Sequence, residues 1–129
     1  MPDMRLVALQ DASESIAAQR AAALGDPTVY TDYRRMLTET RPDFVIALGR
    51  HSSMAETALY LVDQGYPFLM EKPMGIDADE VRRVADRAAA KNAFAAVPLG
   101  QRYQPFVTRA RALAAAGSSS GRCRTSTFD

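Results

Sequence analysis

Glu71-Lys72-Pro73 closes a short apolar run, Pro67 to Met70, and stands just ahead of a well-capped helix signal. Of the sixteen basic side chains only Lys72 and Lys91 are lysines, so arginine is this chain's ordinary surface cation and lysine is the exception. In an open α/β sheet, the position just past the carboxyl end of a strand is where ligands bind. A lysine there acts as a compact cation toward a substrate oxygen, or as a proton carrier once desolvation lowers its pKa. The plainer alternative is a solvated turn charge, and the tripeptide alone leaves the two level.

Three further places carry usable chemistry. Asp11 follows the first apolar run, Arg5 to Gln10, and a carboxylate at such a strand end can accept hydrogen bonds from both hydroxyls of an adenine ribose. Its alternative is a helix N-cap. His51, the single histidine, lies in Gly49-Arg50-His51-Ser52-Ser53, between the run Phe44 to Leu48 and the helix that follows. The glycine permits close backbone approach, Arg50 can meet an anion, and the helix start adds positive potential. A nucleotide or nicotinamide can lie against Arg50 and His51. A polar loop capped by Ser52 or Ser53 is the alternative. Arg102 and Tyr103, in Gln101-Arg102-Tyr103-Gln104-Pro105, follow the run Phe94 to Pro98 and are either substrate contacts or part of a connector. Met36, Met54, Met70 and Met74 read as packing residues. Cys123 stands alone, without a local histidine or second cysteine, which points to no disulfide, no metal and no redox chemistry.

These residues need a scaffold, and the chain supplies strand and helix signals in alternation from Arg5 to Ala116, the pattern of an α/β fold with a parallel sheet. Asp11-Ala12-Ser13-Glu14 offers caps for an alanine-rich helix ending before Gly25. Thr28 to Tyr30 reads as a short strand, and Asp32 caps a helix, Tyr33 to Thr40, broken by Pro42. Phe44 to Leu48 reads as a strand buried on both faces, followed by a helix with Met54, Ala58, Leu59 and Val62 on one face and Gly65 at its end. Pro67 to Met70 is the strand before Lys72. Asp77 and Glu80 form a capping box for a helix bearing Val81, Val84, Ala85 and Ala88, stopped at Asn92. Phe94 to Pro98 is another strand, and Phe106, Ala110 and Leu113 give an apolar face to a last helix ending at Gly117. Beyond it, Gly117 to Gly121 is linker-like and Cys123 to Phe128 alternates weakly as a strand does. The expected organisation is a partial domain over 1–117, then a linker and the start of a second, α+β domain over 118–129, with the chain truncated at both ends.

Composition excludes several classes. The formal net charge is +1 and the arginines are interspersed with acids, so there is no basic stripe for nucleic acid. No apolar run approaches the roughly 20 residues of a membrane span, and no signal peptide is visible, so a soluble cytoplasmic protein is expected. No glycine-rich phosphate turn follows any strand: the glycines at 25, 49, 65, 75, 100, 117 and 121 lack the spacing.

Taken in order, Leu6-Val7-Ala8-Leu9-Gln10-Asp11, Tyr30-Thr31-Asp32-Tyr33 with Met36-Leu37, Pro42-Asp43-Phe44-Val45-Ile46-Ala47, Gly65 through Glu71-Lys72-Pro73-Met74, and Arg102-Tyr103-Gln104-Pro105 resemble one known arrangement. It is the N-terminal nucleotide-binding domain of the Gfo/Idh/MocA oxidoreductases. The resemblance implies a doubly wound, mostly parallel, Rossmann-like sheet that lacks the first strand, its glycine-rich loop and the C-terminal domain. It implies a nicotinamide cofactor, NAD or NADP, with Asp11 on the adenine ribose leaning toward NAD because an acid repels the extra phosphate of NADP. It implies Lys72 at the hydroxyl of a sugar or polyol substrate, with Glu71 and Pro73 shaping the loop around it. The family's usual proline-asparagine after the Phe44 to Leu48 strand is replaced by Gly49-Arg50. A non-catalytic module that associates with a partner or a second copy, as a homo-oligomer, through a bare sheet edge is the other reading.

Overall fold

The computed structural model describes residues 4–116. Within them run β1 (Ala8–Gln10), α1 (Glu14–Ala23), β2 (Thr28–Tyr30), α2 (Tyr33–Thr40), β3 (Val45–Ala47), α3 (His51–Gln64), β4 (Phe68–Met70), α4 (Ala78–Ala90), β5 (Ala95–Ala96) and α5 (Pro105–Ala116), with a 3-10 turn at Gly100–Tyr103 ahead of α5. The expected linker and strand over 118–129 lie outside the described residues.

Local chemistry explains the helix limits. Ser13 caps α1 by accepting from the Ile16 N–H, and Asp11 accepts from the Ser13 N–H at 2.9 Å. Asp32 caps α2 by accepting from the Arg34 N–H at 2.8 Å, and Asp77 caps α4 by accepting from the Glu80 N–H at 2.8 Å. At the other ends, α2 stops where Arg41 turns left-handed ahead of Pro42, and α3 stops at Gly65, whose φ of 78° suits a residue without a Cβ.

All strand pairs are parallel, as strand–helix alternation requires. They do not form one sheet. β1 pairs with β2 in a two-stranded sheet, and β3, β4 and β5 pair in that order in a three-stranded one. The tie between them is α2, which packs on β1 and β2 and sends Leu37 into the core beside α3 and β4. Tyr66 reinforces it by donating to the Leu37 carbonyl at 2.9 Å, and Arg34 reaches Glu56 on α3 at 2.8 Å.

The core lies on one face of the three-stranded sheet. Phe68 and Met70 of β4 are fully buried under Leu61, Val62 and Ala58 of α3 and Val84 of α4. Burying side chains of this size contributes about 1.5–3 kcal/mol each. The other face is bare, which corrects the expectation that Phe44 to Leu48 is covered on both sides: Ile46 is 61% exposed and Leu48 70%. Alternation along β3 sends Val45 and Ala47 to the helices and Phe44, Ile46 and Leu48 to the side that no described helix covers. A similar correction applies to α5, none of whose residues is buried; its expected apolar face, including Phe106 and Leu113, is open. On α4, Val84 and Ala88 are buried as the periodicity requires, whereas Val81 and Ala85 are exposed.

α3 and α4 are also tied at their ends by Asp63, which accepts from Arg87 at 2.7 Å and lies 3.3 Å from the Lys91 ammonium. The hydrogen bond from Arg87, and then that from Lys91, holds the Asp63 carboxyl below its ordinary value of 3.8. A lowered folded-state pKa makes this contribution complete above the ordinary value and removes it as pH falls through the folded one. The pair is half-exposed, so the effect is modest. Asp63→Asn is therefore expected to lower the urea midpoint slightly at neutral pH, with the difference from the parent closing at acid pH. A difference that persists unchanged into acid would refute this account.

Candidate functional site

Parallel pairing collects the carboxyl ends of β3, β4 and β5 along one edge of the three-stranded sheet. The register Ala47↔Met70 is extended by the Glu71 N–H donating to the Ala47 carbonyl at 3.0 Å. Gly49-Arg50 therefore leaves β3 alongside the point where Lys72 leaves β4, at the spacing of neighbouring strands, about 4.8 Å. The 3-10 turn that carries Arg102 and Tyr103 follows β5 on the other flank of β4. The strand register thus sets Arg50 and Lys72 at neighbouring strand ends, whereas the turn bearing Arg102 and Tyr103 packs against α5 and Asp11 occupies the equivalent end of β1 in the two-stranded sheet.

Lys72 is exposed and makes no ion pair or hydrogen bond among the described residues. Arg50 is likewise exposed and unpaired. On α2 and α4, by contrast, Arg34, Arg35, Arg82 and Arg87 all have carboxylate partners within 2.8 Å. His51 proves to be the first residue of α3, not a loop residue, and Arg50 occupies the N-cap without a side-chain hydrogen bond. Neither Ser52 nor Ser53 caps the helix; the Ser53 hydroxyl donates to the Arg50 carbonyl at 3.0 Å. The Ser53 N–H is taken by the Arg50 carbonyl at 3.0 Å, which leaves the His51 and Ser52 amides at the start of α3 for an anion. Asp11 performs part of its alternative role, because its Oδ1 orders the start of α1 through Ser13, while Oδ2 has no partner among the described residues. Glu71 serves through its backbone and leaves its side chain in solvent; Pro73 follows Lys72 across a cis peptide bond. Tyr103 is 81% exposed, and Arg102 is exposed beside it.

What holds the Lys72 loop was not legible as such. Glu80, expected to serve as the helix half of a capping box, reaches one residue further back and accepts from the Ile76 N–H at 2.9 Å. Gly75 is buried against it: a Cβ there would stand 2.8 Å from the Glu80 Cβ. The Asp77/Glu80 spacing was the available signal, and it identified the helix start without revealing that the same carboxylate braces the loop.

Two depressions lie elsewhere. One, of about 410 Å³, sits at the amino-terminal ends of β4 and β5 near Pro67, Asn92 and Phe94, the wrong edge for strand-end chemistry. The other, of about 570 Å³, runs along β2 between Glu14 and Arg35. Beside it Glu39 accepts from Arg35 at 2.7 Å and from the Tyr30 hydroxyl at 3.0 Å, and these bonds lower its carboxyl pKa. Among the described residues no group of three or more His, Cys, Asp or Glu side chains could hold a metal ion, and no helix is long and apolar enough to cross a membrane.

The family model for an oxidoreductase family with an NAD-binding Rossmann fold matches residues 1–98. The chain belongs to this family, the Gfo/Idh/MocA oxidoreductases. It is 28% identical over 116 residues to the D-xylose 1-dehydrogenase (NADP(+)) of Hypocrea jecorina, covering 87% of this chain and 30% of that protein. Its fold is that of the myo-inositol 2-dehydrogenase from Lactobacillus plantarum, at a TM-score of 0.80 and 23% identity over 91% of this chain and 35% of that one. It is also that of GenD2 from gentamicin A biosynthesis, solved in complex with NAD, at a TM-score of 0.79 and 24% identity over 92% of this chain and 33% of that one. The chain thus spans about a third of the length of the relatives it matches.

In this Gfo/Idh/MocA chain two groups have chemistry that a nicotinamide dinucleotide could use. The free Oδ2 of Asp11 suits ribose hydroxyls, and the open start of α3 with Arg50 suits an anionic or carboxamide group. A glycine-rich turn that would cradle the pyrophosphate is not found among the described residues. Since Lys72 depends on a braced loop, Gly75→Ala is expected to lower stability by about 1–3 kcal/mol through overpacking against Glu80. It is also expected to shift the amide resonances of Lys72 to Asp77. A variant with parental denaturation and an unchanged amide spectrum would show that the brace is not tight.

Proposed function

We propose that the chain is the nucleotide-binding part of a nicotinamide-dependent oxidoreductase acting on a sugar, polyol or related hydroxyl compound. The observation that carries this reading is Lys72, at the carboxyl end of β4 on a loop braced by Glu80, with Arg50 on the neighbouring strand end and neither paired among the described residues. The names of two relatives, a D-xylose dehydrogenase and a myo-inositol dehydrogenase, support the substrate class.

In this reading a bound nicotinamide supplies the hydride acceptor or donor. Lys72 Nζ holds the substrate hydroxyl oxygen and takes or shares its proton. Asp11 Oδ2 accepts from the adenine ribose, and Arg50 and His51 lie against the cofactor at the start of α3. Glu71 and Pro73 keep Lys72 aimed, and Arg102 and Tyr103 meet the substrate from the β5 side. An acid at Asp11 favours NAD over NADP by repelling the extra phosphate, although the fungal relative is named for NADP. The cytosol suits such a protein, and the substrate is a small molecule.

Amide resonances of the 15N-labelled chain, titrated with NAD and then NADP, test this directly. Shifts at Asp11, at Arg50 to Ser52 and at Lys72, larger with NAD, are expected; Asp11→Ser should narrow the difference between the two cofactors. No shift at any of these positions would overturn the reading. Turnover is a separate matter. The purified 129-residue chain, offered NAD and a panel of sugars and polyols, is expected to show none, because it spans only about a third of its relatives.

The second reading, a module for association, draws on a different observation: the bare sheet face that exposes Ile46, Leu48 and Phe94.

A further inference from the structure

Asp11 and Arg50 belong to two bonded units with little between them. In the first, the Asp11 N–H donates to the Tyr30 carbonyl at 3.2 Å, and beside it the Gln10 side-chain amide donates to the Thr31 carbonyl at 3.0 Å. Asp32, the next residue, caps α2 through the Arg34 N–H at 2.8 Å, so the end of β1 is bonded to the start of α2. In the second, the Arg50 carbonyl accepts from the Ser53 N–H and from the Ser53 hydroxyl, both at 3.0 Å, at the start of α3. Among the described residues, the elements up to α2 are joined to those from β3 onward by the Arg34–Glu56 ion pair at 2.8 Å and by the hydrogen bond from the Tyr66 hydroxyl to the Leu37 carbonyl at 2.9 Å.

These two ties are unequal. Leu37 is fully buried and Tyr66 precedes the amino-terminal end of β4, so that tie holds the middle of α2, on the side away from the carboxyl ends of the strands. Arg34 stands in the first turn of α2 and Glu56 in the second turn of α3, near the helix ends that face those strand ends. There the guanidinium also donates to the Tyr33 hydroxyl at 3.1 Å and lies 5.0 Å from the centre of the Tyr60 ring, which itself meets Tyr33 edge to face at 5.5 Å. A helix fixed at its middle can still tilt at its start. The guanidinium and the two rings oppose that tilt, through an ion pair and a cation–π contact at one point.

We infer that Arg34 is a positioning residue for the dinucleotide: through Glu56 and Tyr60 it fixes the start of α2, and with it Asp11, relative to Arg50 and His51 at the start of α3. The inference rests on the nicotinamide reading, in which Asp11 meets the adenine ribose while Arg50 and His51 lie against another part of the same molecule. The Arg34 side chain bonds to neither Asp11 nor Arg50. Its effect comes from linkage. A molecule held at two places gains over its separate halves only as far as the protein keeps the two places at the matching distance, because that distance sets the effective concentration of the second half once the first is bound. The next residue supplies the control: Arg35 pairs with Glu39 at 2.7 Å within α2 and so bridges nothing.

The test compares NAD with its two halves, adenosine monophosphate and nicotinamide mononucleotide, by amide shifts of the 15N-labelled chain. In the parent, NAD is expected to bind more tightly than either half. Arg34→Met keeps an apolar stem against the tyrosine rings and removes the charge and the donors. It is expected to weaken NAD about fivefold, the scale of an exposed ion pair and a cation–π contact together, and to leave both halves unchanged. Glu56→Gln breaks the pair from its other side, should the first variant fail to fold, and is expected to act in the same direction. The doubly substituted chain should lose no more than Arg34→Met alone, since the two side chains act as one contact. Arg35→Met should leave all three ligands unchanged. A general loosening of the fold would weaken the halves along with NAD, so equal losses with all three ligands overturn the inference. Parental NAD binding by both Arg34→Met and Glu56→Gln, or a parent that binds NAD no better than its halves, overturns it as well. No shift with NAD in the parent would instead remove the nicotinamide reading, and the inference with it.

Discussion

Two backbone hydrogen bonds, from Val45 to Pro67 and from Glu71 to Ala47, set the register of β3 against β4, and the rest of the edge follows from them. They place Phe68 and Met70 toward α3 and α4 and bring the exit of Gly49-Arg50 level with that of Lys72. A slip of one residue would turn Phe68 and Met70 outward and Leu69 inward, because side chains alternate with a period of two. The burial of those two side chains therefore fixes the chemistry of the edge as firmly as it fixes the core.

That core is one-sided. Leu37, Leu61, Val62, Phe68, Met70 and Val84 are all essentially inaccessible to water, yet the opposite face of the same strands is open. α2 has to serve two sheets at once, through its contacts on β1 and through Leu37 beneath β4. Parallel sheets are ordinarily covered on both faces, whereas Ile46, Leu48 and Phe94 lie exposed on a face that no described helix covers.

Electrostatics separates the structural charges from the others. The arginines of α2 and α4 are matched by carboxylates on the same or the adjacent helix, as with Arg35 and Glu39 or Arg87 and Asp63. Such exposed pairs contribute little individually; Arg50 and Lys72, at strand ends, have no carboxylate partner among the described residues. The brace from Glu80 to the Ile76 N–H adds the rigidity that a positioned cation needs.

The alternation of elements was legible in the sequence because its signals are local. Asp32 and Asp77 cap helices within a few residues of themselves, Gly65 ends one, and Met54, Ala58, Val62, Val84 and Ala88 declare their helix faces by spacing. Membership of the family and the position of Lys72 at a strand end were legible for the same reason. The burial of Phe44 to Leu48, the role of His51 as a helix residue, the exposure of α5 and the closeness of Gly75 to Glu80 were not. An apolar strand reads the same whether one or both of its faces are covered, since that depends on what packs opposite from distant parts of the chain. The sequence by itself determined which elements form and which residues end them; only the tertiary structure decided that the described strands divide into two parallel sheets, because strand pairing is a contact between segments whose local signals are silent about each other.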